Sequence, residues 1–172
     1  MTTNQINSFN EEKWLHTYFG NAYVDLAKFD NIKNFLFFWS VFEYKVCGTE
    51  FMISKMFKLI VESNSLPSNK LAEYRTILDY FKNRYITDGS INNKFHQLEL
   101  KRVKYNSFLR KTLMSEENNE KDILKALTLI IYRLRNNLFH GVKKTELLKS
   151  QIENFQVTNY LLSKLIEDFS QT

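Results

Sequence analysis

Four glycines and one proline in 172 residues constrain this chain more than any other feature. Tight turns, left-handed backbone and sharp helix stops draw on these two residue types, so the chain has few places to reverse direction cheaply. A turn-rich all-β fold, a Gly-rich phosphate loop and a collagen-like or linker-rich chain are excluded on that ground. The segments between the sparse breaks are long, with apolar residues three and four apart, the period of an amphipathic helix. The expected fold is all-α: one domain over residues 1–172, a helical bundle of about five to six helices. A chain of this length buries roughly 70% of its unfolded surface, enough for a core without disulfides or metals.

Helices are predicted over about Glu11–Phe19, Asn31–Glu62, Asn69–Tyr85, Ile91–Leu113, Glu120–Phe139 and a stretch within Glu146–Phe169. Asn10 and Asp30 are N-cap candidates for the first and second. Gly20 and Asn21 break the first, and a further short helix to about Lys28 is expected. The stripe Phe35, Trp39, Phe42, Val46, Ile53, Phe57 and Ile60 runs the length of the second. Gly48 in its middle costs about 1 kcal/mol relative to Ala and marks a kink or a close helix contact. Thr87 to Ser90 reads as a turn, and Gly141 sits where a C-terminal cap belongs.

Cys47 stands alone, so neither an internal disulfide nor a cysteine zinc finger forms, and a reducing, cytoplasmic location is expected. Met1 to Asn10 lacks the charged-then-apolar pattern of a signal peptide. No apolar run approaches the ~18 residues that span a bilayer, so no membrane association is expected. The three histidines are widely separated, and neither a metal nor a cofactor is expected. The formal charge of +5 is compatible with a nucleic-acid partner.

Chemistry concentrates at the end of the fifth predicted helix. On a helical wheel Leu127, Ile131, Leu134 and Leu138 form a core stripe. The opposite side carries Tyr132, Arg133, Asn136 and His140, with Leu129 among them. An ordinary surface face would hold Lys and Glu. This face is expected to meet a groove or another subunit, and replacing its Arg or His is expected to leave the fold intact.

The run Tyr132-Arg-Leu-Arg-Asn-Asn-Leu-Phe-His-Gly141 resembles the signature of the HEPN superfamily of helical domains. That signature is an Arg, four to six residues, then a His, often with a polar residue after the Arg. Arg135 and His140 fit with four residues between them and Asn136 in the polar place. Arg133 fits the longer variant. Arg135 ranks first because of Asn136, although the wheel puts it about 140° from His140. The resemblance implies a metal-independent endoribonuclease of the toxin or defence kind. It also implies a homodimer with a composite cleft, RNA as substrate and a cognate antitoxin protein as partner. In that chemistry the ribose 2′-OH attacks the adjacent phosphorus. A His near neutral pKa moves the proton, worth roughly 10²–10⁴ in rate, and an Arg holds the phosphate.

Other readings stand beside these. Arg135, Asn136 and His140 also suit a capping and salt-bridge cluster at a helix end. The chain could instead be a catalytically silent HEPN module that dimerises or binds a nucleotide or a partner protein, or a helical interaction protein with a chance motif. Glu43 is either half-exposed at a stripe's edge or a partner that orients Arg133 or Arg135. Lys94, Lys101, Arg102, Lys104, Arg110 and Lys111, with Tyr105 and Phe108, form either a phosphate-binding surface or a solvated face. Lys143 and Lys144, directly after the motif, and Tyr132 are the preferred RNA contacts. His16 and His96 read as structural or surface residues, and Tyr160 and Cys47 as core.

Overall fold

A computed structural model describes residues 9–20, 30–48, 50–139 and 151–170. The short helix expected to end near Lys28, and His140, Gly141, Lys143 and Lys144, lie outside the described residues. The fold is all-α, with eight helices among the described residues. They are α1 (Glu11–Phe19), α2 (Asp30–Val46), α3 (Ile53–Glu62), α4 (Ser68–Tyr85), α5 (Asn93–His96), α6 (Val103–Met114), α7 (Glu120–Phe139) and α8 (Ile152–Phe169).

The count exceeds five to six because two expected helices are divided. Asn31–Glu62 is broken between Val46 and Ile53, where Gly48 takes φ +72°, a left-handed conformation that closes a helix end. Ile91–Leu113 is broken by a different device. Asn92 accepts hydrogen bonds from the amides of Lys94 and Phe95 and starts the four-residue α5, and Glu99 at φ +51° turns the chain before α6. Thr87–Ser90 does form a turn. Asp88 and Gly89 both have positive φ and join two-residue strands, β1 (Ile86–Thr87) and β2 (Ser90–Ile91), in an antiparallel hairpin. Asn10 caps α1 by accepting from Lys13 N at 2.7 Å, whereas Asp30 is already the first helical residue of α2.

α7 is the axis of the fold. It buries Ile123, Leu124, Ala126, Leu127, Leu129, Ile130, Ile131 and Leu134 against α3, α4 and α6. α2 and α8 pack along each other, with Phe35 edge-on to Phe155 at 5.0 Å and Asn159 Nδ2 donating to Asn31 O at 2.8 Å. α8 is tied to α4 through Asp168, which accepts from Tyr74 Oη at 2.9 Å and pairs with Lys70. Tyr160 is exposed rather than core, its hydroxyl donating to Glu73 at 2.7 Å. No helix among the described residues is long and apolar enough to cross a membrane.

Candidate functional site

The last two turns of α7 carry the described part of the motif. The wheel leaves their second face clear of the core, but the chain itself covers it. Leu129 is fully buried, Asn136 is 7% exposed, and Tyr132 and Arg133 are half-buried. The covering comes from the segment that breaks α2 from α3, where Phe51 stacks on Tyr132 at 5.3 Å, and from the α5–α6 connection.

The two arginines, two residues apart on one helix, go separate ways. Arg133 Nε donates to Leu98 O at 2.6 Å and its Nη2 to Asn137 Oδ1 at 3.1 Å. Asn137 is buried in turn and donates through Nδ2 to Gln97 O at 2.8 Å. Arg133 and Asn137 therefore clamp the carbonyls that follow α5. Arg135 instead lies against two rings, its guanidinium 5.6 Å from the Trp39 centroid and 4.9 Å from that of Phe139. Its Nη1 donates to Asn136 Oδ1 at 3.2 Å. Two buried donors here, Arg135 Nε and Trp39 Nε1, have no acceptor among the described residues. Unused buried donors are uncommon, and they ask for an oxygen.

Arg135 and Asn136 are thus brought together, at the end of the helix that precedes His140. Arg133 and Tyr132 belong to a different wall. Glu43 makes no ion pair with either arginine among the described residues. It is half-buried on α2, close enough to Cys47 for its charge to act on the thiol. Burial pushes that thiol up to about 12, and the Glu43 charge adds to the shift. A thiol held protonated in this way is a weak nucleophile near neutral pH.

Trp39 and Phe139 as a platform for Arg135 were not foreseen. The Arg135–Phe139 spacing of one helical turn is a readable signal; the contact with Trp39, across the fold, has none. The anchoring carbonyls of Gln97 and Leu98 have none either, because a backbone acceptor carries no sequence mark. What these elements define is an all-helical domain with an arginine–amide pair at the end of its central helix. No protein-family model, curated protein or solved structure gives a significant match to the chain.

Proposed function

We propose that the protein is a metal-independent endoribonuclease of HEPN type, acting as a toxin or defence effector through a composite site in a homodimer. One observation carries the reading. Arg135 and Asn136 are joined side chain to side chain at 3.2 Å on the turn of α7 that leads into His140, with Arg135 Nε buried and unpartnered among the described residues. In the proposed reaction the ribose 2′-oxygen attacks phosphorus and the P–O5′ bond breaks. The products are a 2′,3′-cyclic phosphate and a 5′-hydroxyl. The two copies of His140 between them accept the 2′-OH proton and return one to the 5′-oxygen. Arg135 neutralises charge growing on the phosphate, and Asn136 holds the guanidinium in place. Lys143, Lys144 and Tyr132 are the RNA contacts in this scheme, and a cognate antitoxin would act by covering the site.

A non-catalytic module for dimerisation or partner binding has its own support: Asn136 is almost fully buried, as a purely structural amide would be. Labelled RNA incubated with the purified protein in EDTA separates the two. Cleavage should persist, leave a cyclic phosphate and fail on a substrate with 2′-deoxyribose at the scissile position. His140→Ala should lose at least ~10² in rate, the lower end for a general acid or base. Arg135→Ala should lose a comparable factor. Arg133→Ala should cost less in rate and more in stability, because it frees the Leu98 carbonyl. Metal-dependent cleavage, or full activity in His140→Ala, moves the protein to the non-catalytic reading.

A further inference from the structure

A cleft of about 470 Å³ opens beside the last turns of α7, next to Arg135's ring platform, since Phe51 in its lining also packs on Trp39 at 5.1 Å. Phe51, Lys101, Arg102, Tyr105, Tyr132 and Arg133 are among the residues that line it. Its volume falls within the roughly 300–1,000 Å³ of small-ligand sites. Among the described residues three cations line it and no carboxylate does. Among the described residues none of the three is in an ion pair. Lys101 and Arg102 are exposed, so their charge is presented to the cleft at little desolvation cost. Arg133 is held in position by its bond to Leu98 O.

The aromatic side is equally defined. Phe51 and Tyr132 are stacked on one another within 23° of parallel, and Tyr105 faces the cleft with Arg102 and Lys104 over its ring at 5.8 and 5.0 Å. Rigid rings beside guanidinium and ammonium groups are the usual means of holding a base and its phosphate without reading sequence. The backbone agrees with the side chains. α3 and α6 both begin at this cleft, Met52 and Arg102 supply no side-chain cap, and neither first turn contains an acid. Among the described residues, no side-chain cap and no first-turn acid competes there for an anion's place.

We propose that this cleft binds a phosphorylated nucleoside unit, its phosphate against Lys101, Arg102 and Arg133 and its base against the Tyr105 and Tyr132 rings. The site uses neither Arg135 nor His140 and shares only Tyr132 with the proposed cleavage scheme, so binding here and RNA cleavage are read out separately. The unit could be a free nucleotide or one unpaired residue of an RNA strand, and titration calorimetry distinguishes them. The probes are adenosine 5′-monophosphate, adenosine, inorganic phosphate and hexaadenylate, titrated into full-length His140→Ala so that no RNA is consumed.

If the monophosphate binds, adenosine and inorganic phosphate should each bind at least tenfold more weakly. Adding Lys101→Ala with Arg102→Ala should weaken binding at least tenfold, since both side chains are exposed and their loss leaves the core untouched. The charge-matched pair Lys33→Ala with Lys58→Ala, also exposed, should change it little. Binding of hexaadenylate alone, lost in the first pair and kept in the second, assigns the site to RNA. The proposal is overturned if no probe binds or adenosine equals its monophosphate. Equal weakening by both charge pairs also overturns it, because that would mean diffuse attraction.

Discussion

Arg133 and Arg135 have the same chemistry and the same helix, yet their guanidinium groups are held in different ways. The difference lies in what their neighbours offer. Leu98 O and Asn137 Oδ1 take two of Arg133's nitrogens, while Trp39 and Phe139 offer Arg135 only π faces. A cation held over rings gains about 0.5–2 kcal/mol from them, and Arg135 Nε is left buried without an acceptor among the described residues. Cys47 illustrates the opposite outcome, a reactive group silenced by its surroundings. Its pKa rises from 9.0 to about 12, so at pH 8 the thiolate fraction falls by about a thousandfold. The remaining thiolate is more basic and gains roughly 16–30-fold in intrinsic nucleophilicity. Disulfide exchange with an aromatic disulfide reagent at pH 8 should therefore run at least about tenfold slower in the folded protein than in urea. Because the folded pKa is raised, this thiol contributes stability below pH 9 that is lost as pH climbs toward 12. Equal rates in folded and unfolded protein would contradict the burial assigned to it.

At the scale of elements, the contact that orients α7 against the α5–α6 connection rests on Asn137. Its amide donates to Gln97 O and its carbonyl accepts from Arg133. Asn137→Ala should cost about 1–3 kcal/mol in urea unfolding, the penalty of stranding buried polar partners. A smaller change would mean that water replaces the amide. α1 and α7 have the bounds their sequences announce, Asn10 with its cap for one and the polar Ser115–Asn119 loop for the other. α2 and α3 do not, because Val46 and Ile53 are seven residues apart and the apolar period runs unbroken across a real gap. There Gly48 is read by its helix-interior cost when its positive φ is what counts. The α5 break is harder still, since Glu99 adopts a conformation its residue type disfavours. Of the site, the pairing of Arg135 with Asn136 was legible because the partners are adjacent. The burial of the motif's second face was not, because Phe51 and Leu98 reach it from distant parts of the chain.

Over the whole molecule, α7 sits within three helices while α2 and α8 close one side as a pair. Phe139 is left 57% exposed at the end of α7, and a homodimer joined there would cover it and bring two motifs together. Light scattering at tens of micromolar should give twice the monomer mass, and Phe139→Ser should shift it toward the monomer; a monomeric parent protein removes the composite site. The α2–α8 seam has a consequence for the birth of the chain. Asn31 and Asn159, which meet in it, are 128 residues apart. At ribosomal speeds of about 5–20 residues per second, α2 waits roughly 6–26 s for its cover to be synthesised. During that interval the faces of Phe35 and Trp39 that α8 will occupy are bare on the nascent chain. The newly made protein should therefore be bound by holdase chaperones at the tunnel exit, and its yield should depend on the pace of translation as well as on the stability of the finished fold.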